Sequence, residues 1–175
     1  MRGGLQLIEC AVSRTPHFFR SGTCGNLACM VADVDFVLES PSTPTVLLVE
    51  AKSTSAPSEE WAARFARTLF AETAPQADLF FLLILRNFLY LWKHVPGEGS
   101  ELPDFSAPTE DALRPYLDKM QTSLMEINPL SFELLVKSWL TDVSEGSVPP
   151  SLERWLRDAG LQQFENGLLR EEQRN

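Results

Sequence analysis

The run Thr45-Val-Leu-Leu-Val-Glu-Ala-Lys52 constrains the fold more than any other stretch of this chain. Its consecutive apolar residues have no polar face, which fits a central strand covered on both sides. A strand sends residues i and i+2 to one face, so Glu50 and Lys52 share a face and Ala51 points away. A carboxylate and an ammonium at the end of a buried strand are costly unless they serve a site.

An acidic segment precedes this run, Val31-Ala-Asp-Val-Asp-Phe-Val-Leu-Glu39, with Asp33 and Asp35 on one face and Val34, Phe36 and Leu38 on the other. Ser40-Pro-Ser-Thr-Pro44 between them is turn-rich and of a length suited to a hairpin loop. An antiparallel hairpin centred between Ser42 and Thr43 sets Asp35 opposite Glu50 and Asp33 opposite Lys52. Directly opposed side chains lie on the same side of a sheet, about 4.5–5.5 Å apart at Cβ. That register gathers three carboxylates and a lysine into one patch; a slip of one residue separates the two sets by face.

Neighbouring carboxylates repel each other, and a divalent cation relieves the repulsion. Mg²⁺ takes oxygen ligands and is commonly held by one or two carboxylates with water and phosphate oxygens. Such a metal acidifies bound water and neutralises charge as a phosphodiester is attacked. A lysine beside it positions the water and offsets developing negative charge.

The residues Val34-Asp-Phe-Val-Leu38 and Leu47-Leu-Val-Glu-Ala-Lys52 resemble the PD-(D/E)xK nuclease superfamily. Val34 stands where the family's name has proline. The order of elements after Lys52 is similar to the core of type I restriction subunit amino-terminal domains. Ser58-Glu-Glu-Trp-Ala-Ala-Arg-Phe-Ala-Arg-Thr-Leu-Phe70 reads as a helix, and residues 78–85 and 88–93 read as two strands around an Arg86-Asn87 turn. The resemblance spans roughly residues 30–93. It implies a restriction-endonuclease-like α/β fold, a mixed sheet flanked by helices. It further implies Asp35 and Glu50 as ligands of Mg²⁺ or Mn²⁺, Lys52 as the catalytic lysine, and in-line attack of a metal-associated water. Family members open with a glutamate-bearing helix; residues 5–12, with Glu9, are the segment that would supply it. Glu9 and Asp33 are therefore auxiliary candidates.

On the predicted helix, Trp61, Phe65 and Leu69 fall on one face at helical spacing and are expected to pack on the sheet. Arg64 and Arg67 fall near the opposite side with Glu60; the bland reading is a solvated face, the sharper one phosphate contact. His94 after the last strand, and His17, read as exposed. Cys10, Cys24 and Cys29 form no even framework and read as free thiols. Their spacing with His17 is irregular for zinc. Residues 21–26 form a glycine-bearing loop without the Gly-Lys-Ser/Thr of a phosphate-binding loop.

The second half changes character. Residues 96–108, with three prolines and two glycines, read as a linker loop between a core at 1–95 and an α-helical extension at 109–175 that packs on or beside it. A helix is expected to open with Thr109 as its N-cap and acids in its first turn, with Pro115 kinking it or marking a later start. Asn128-Pro129 is a cap followed by a first-turn proline, and a further helix carrying Leu152, Trp155 and Leu156 is expected to stop at Gly160. The polar end is expected to fray.

The chain has 175 residues, with 15 Lys and Arg against 24 Asp and Glu, a net charge of −9. The excess is spread: 8 basic and 12 acidic residues lie in the first 108 positions, and 7 and 12 in the rest. Neither half is a basic domain, which argues against tight binding by phosphate neutralisation. A bound metal or a local basic rim would offset part of the charge, and weak binding or a partner subunit is expected. The first residues lack a signal peptide's apolar core, and the most apolar run, 79–92, is broken by Arg86-Asn87. The expectation is a cytoplasmic protein, away from membranes. Its reading is a Mg²⁺-dependent endonuclease, or the nuclease-like subunit of a DNA-processing or phage-defence system. It would act on nucleic acid, DNA in the first instance, alone, as a homodimer or with a protein partner. The alternative is a catalytically degenerate nuclease fold that binds nucleic acid or protein.

Overall fold

The computed structural model describes residues 34–56, 58–71, 78–94 and 102–172. β2 (Val46–Lys52) takes an inner position in a six-stranded mixed sheet, as its uninterrupted apolar run requires. In chain order the other elements are β1 (Phe36–Glu39), α1 (Glu59–Leu69), β3 (Leu79–Leu85), β4 (Phe88–Trp92) and β5 (Phe105–Pro108). They are followed by α2 (Thr109–Met120), α3 (Pro129–Glu145), α4 (Pro150–Ala159) and β6 (Leu168–Glu171). Across the sheet the strands run β5, β4, β3, β2, β1, β6. β2 and β3 are parallel, connected through α1, and every other pairing is antiparallel. The molecule is thus an α/β fold with four helices among the described residues. Among these residues no helix is long and apolar enough to cross a membrane.

Alternation assigns the two faces. Phe36, Leu38, Leu47, Val49, Leu82, Ile84, Leu89 and Leu91 meet α2, α3 and α4 in one apolar cluster. Leu48, Phe81, Leu83, Leu85, Tyr90 and Trp92 meet α1 in a second. Burying side chains of this size contributes about 1.5–3 kcal/mol each.

Helix ends follow local chemistry. The Ser58 hydroxyl accepts from the Trp61 N–H at 3.3 Å to open α1. Asn128 does the same for Ser131 at 2.8 Å, with Pro129 in the first turn of α3. Gly160 ends α4 at φ +78°, a conformation that favours glycine.

Several expectations are corrected. The sheet-facing stripe of α1 is Ala62, Ala63 and Ala66, continued by Phe70, while Trp61, Phe65 and Leu69 flank it half-buried. The large residues do pack against the sheet-side cluster, as expected, but at its rim rather than its centre. The strands already supply bulk here: Phe81 stacks on Trp92 at 5.6 Å and meets Phe70 edge-on at 4.8 Å. Small side chains then let the helix approach closely. Residues 105–108, expected within a linker loop, form β5 along β4. Proline is tolerated at the end of this outer strand. α2 runs from Thr109 through Pro115 without restarting there, and Thr109 is its first residue rather than its side-chain cap.

Residues 168–171, part of the stretch 168–175 expected to fray, form β6 beside β1, and residues 173–175 lie outside the described residues. Leu161 and Phe164 are fully buried and anchor the approach. At Gly167 an added Cβ would lie 2.4 Å from the Glu39 carbonyl oxygen, so only glycine passes this close.

Candidate functional site

Glu50 stands in register with Leu83 of β3, and Lys52 with Leu85; both leucines belong to the α1-side cluster. Glu50 and Lys52 therefore point to the α1 face, at the end where β2 leaves the sheet. Glu50 is only 3 % exposed. Its Oε1 is ion-paired with the Lys52 ammonium, whose side chain is 33 % exposed and reaches toward solvent. The pair is not a surface accident: a carboxylate this deep needs a compensating partner.

The β1–β2 register is Phe36 with Val49 and Val37 with Leu48. This is the register expected from a hairpin centred between Ser42 and Thr43. The paired ladder ends at Phe36, and Val34, expected on one face with Phe36 and Leu38, falls instead in the α1-side cluster. Asp35 is likewise 3 % exposed. Its Oδ2 accepts the Ala51 N–H at 2.8 Å, so the carboxylate lies against the Glu50–Ala51 peptide. The Asp35 N–H donates to the Val49 carbonyl at 3.0 Å, and its own carbonyl accepts the Glu172 N–H at 3.0 Å. Backbone on both neighbouring strands thus fixes Asp35. Asp35, Glu50 and Lys52 are brought together at one edge of β2.

Arg64 is exposed beside Glu60, and Arg67 is half-buried further along α1. A hydrogen bond from Ser58, a backbone hydrogen bond and the nearby Arg64 hold the fully exposed Glu60 carboxyl below its ordinary range, against a small opposing effect of burial. His94 is exposed near Asp104, as expected. Glu9 and Asp33 lie outside the described residues, as do residues 5–12, the loop at 21–26, His17, Cys10, Cys24 and Cys29.

Among the described residues no group of three or more His, Cys, Asp or Glu is placed to hold a metal ion. Asp35 and Glu50 are a pair of carboxylates, and one or two carboxylates suffice for Mg²⁺. Their donor chemistry, oxygen alone, fits a hard cation.

Sequence reasoning treated Arg86 and Asn87 only as a turn. In the fold their side chains hold the segment after Lys52: Arg86 Nε donates to the Ser53 carbonyl at 2.7 Å, and Asn87 Nδ2 to that of Ala56 at 2.8 Å. A polar dipeptide between two apolar strands was the available signal, and it shows nothing about reach. A cleft of about 490 Å³, lined by Phe36, Lys137, Thr141 and Glu171 among others, opens beside α3 and β6. Phe36 belongs to the opposite face of the sheet from Glu50, so that cleft is separate from this group.

No protein family, curated protein or solved structure matches the chain.

Proposed function

We propose that the chain is a Mg²⁺-dependent phosphodiesterase of the PD-(D/E)xK nuclease type, acting on DNA, within a restriction-endonuclease-like fold. The observation that carries this reading is the convergence of Asp35 on the Glu50–Ala51 peptide, beside the buried Glu50–Lys52 pair. Asp35 and Glu50 would hold the cation. When bound, Mg²⁺ (or Mn²⁺) supplies charge neutralisation and a more acidic water. Lys52, partly exposed, presents N–H donors to a phosphate oxygen and to the attacking water, and its positive charge offsets the negative charge that develops on the phosphate. The Glu50 partner keeps the ammonium at the site. Burial of both carboxylates excludes bulk water, which strengthens each of these interactions.

The test is calorimetric titration with Mg²⁺ and Mn²⁺, paired with cleavage of plasmid and single-stranded DNA. It compares wild type with Asp35→Asn, Glu50→Gln and Lys52→Met. The carboxylate variants are expected to lose both metal binding and cleavage. Lys52→Met is expected to retain metal but to lose about 100-fold or more in kcat. A wild type that neither binds metal nor cleaves would sink the hydrolase reading.

A second reading has its own observation. The net charge is −9 and the Lys52 ammonium is engaged by Glu50. Both suit a nuclease fold that has lost its chemistry and binds a partner. Under it, DNA cleavage is absent and all three variants behave as wild type.

A further inference from the structure

The ladder between β2 and β3 ends at Lys52. Beyond it the chain is held by the turn between β3 and β4. The Arg86 N–H donates to the Thr54 carbonyl at 2.9 Å, and Arg86 Nε to that of Ser53 at 2.7 Å. Asn87 grips Ala56 twice: Nδ2 donates to its carbonyl at 2.8 Å, and Oδ1 accepts its N–H at 3.0 Å.

The same guanidinium reaches the other half of the molecule. One terminal nitrogen donates to the Leu124 carbonyl and the second to that of Ile127 at 2.7 Å, both in the loop between α2 and α3. Leu124 and Ile127 are themselves buried, so this loop has a fixed seat. The base of α2 is tied to the same turn: Thr109 donates its N–H to the Asn87 carbonyl at 3.2 Å and its hydroxyl to the Leu85 carbonyl at 2.6 Å. One side chain thus spans two segments that are far apart in sequence. Only a planar fork of five N–H groups can do this; a lysine ammonium is a point donor on a flexible stem.

We propose that Arg86 is a positioning residue for Lys52, and that it couples the placement of the Lys52 ammonium to the α2–α3 loop. The inference rests on the hydrolase reading for its catalytic consequence, although the coupling itself does not. Ser53, held by Arg86, is the residue immediately after Lys52. Without that hold, Ser53 loses its own tie to the turn, and the end of β2 is less firmly seated, held only through Thr54 and Ala56. A displacement of about 1 Å at a catalytic group costs on the order of 100-fold in rate.

The test uses the full chain with Arg86→Lys, which keeps the charge and removes the fork. Three quantities are read: backbone order parameters, the NMR signals of the Lys52 ε-methylene, and steady-state DNA cleavage with Mg²⁺. Order is expected to fall together in residues 53–56 and 124–127 while β3 and β4 stay rigid. The Lys52 signals are expected to shift, and kcat to drop about 100-fold with KM within about twofold. Asn87→Ala leaves the guanidinium in place and should loosen residues 53–56 alone. It also serves as the decisive variant if Arg86→Lys does not fold: a matching loss of order at 124–127 in Asn87→Ala would overturn the assignment of that coupling to Arg86. In Arg86→Lys, loosening confined to one segment, or unmoved Lys52 signals, overturns the proposal, as does an unchanged kcat in a cleaving protein. If the wild type cleaves nothing, the hydrolase reading fails on its own, and the order parameters with the Lys52 signals still decide the coupling.

Discussion

At the scale of single residues, the cost of the site is concentrated in Glu50. It is buried while its partner Lys52 is one-third exposed, so the two are not equivalent. Lys52→Met leaves a carboxylate in an apolar setting beside Asp35 and is expected to lower stability by about 1–3 kcal/mol. Glu50→Gln leaves an ammonium that can turn to water, and it removes repulsion with Asp35; its expected effect is near zero or stabilising. Urea unfolding of both variants at pH 7 checks this, and equal losses would contradict the asymmetry. The shared face of Glu50 and Lys52 was legible in the sequence, because two-residue alternation is a local rule; the hairpin register was one option that a one-residue slip left open. The bond from the Ala51 N–H to Asp35 was not legible, because it depends on how far β1 and β2 approach at the site.

At the scale of elements, one tie fixes two helices of the later half to each other and a second joins its last strand to the sheet. The Tyr116 hydroxyl on α2 donates to Asp142 on α3 at 2.7 Å. Burial first, then the Asp142 hydrogen bond and charge, raises the Tyr116 pKa well above its ordinary value. The folded state therefore holds this proton more tightly than the unfolded chain does. Its contribution is fully present below about pH 10 and is lost as pH rises from there toward the raised folded value. Tyr116→Phe is expected to cost about 1 kcal/mol at neutral pH and to flatten the alkaline fall in stability. Urea midpoints from pH 8 to 11 measure both. The second tie is Gly167. Gly167→Ala drives a methyl into the Glu39 carbonyl, with an expected loss of about 1–3 kcal/mol and fraying of β6. Amide exchange along β1 and β6 reads the fraying; full protection in the variant would show that the two strands part without cost. Both β6 and β5 escaped the sequence reading for the same reason. Each is a short outer strand with polar or proline residues, and its strand character comes from the neighbour it pairs with rather than from its own pattern.

At the scale of the whole molecule, helices cover both faces of one sheet, and the helices after β5 build the larger of the two apolar clusters. The acidic excess is spread over both halves of the sequence. DNA binding by the metal-free protein is accordingly expected to be weak, with log K against log salt shallower than about −3, where six to ten phosphate contacts would give a slope near −5 to −9. Fluorescence anisotropy with a labelled oligonucleotide between 50 and 300 mM salt, roughly the range over which counterion release is resolved, gives this slope. A steep slope would reveal a basic surface that the composition hides.

By itself the sequence determined the inner strand, the helix after it and the caps at Asn128 and Gly160, and it offered, without fixing it, the hairpin register that the β1–β2 pairing adopts. It also singled out Asp35, Glu50 and Lys52 as candidates. These follow from local periodicity, turn chemistry and the penalty on buried charge, all of which act over a few residues. Tertiary structure alone decided that alanines, not aromatics, seat α1, because that choice depends on the bulk already present on the facing strands. It decided that residues 168–172 return to cover β1 and hold the Asp35 backbone. It also decided that Arg86 joins the end of β2 to the α2–α3 loop. These contacts link positions far apart in the chain, and no local pattern in a sequence encodes a distance across a fold.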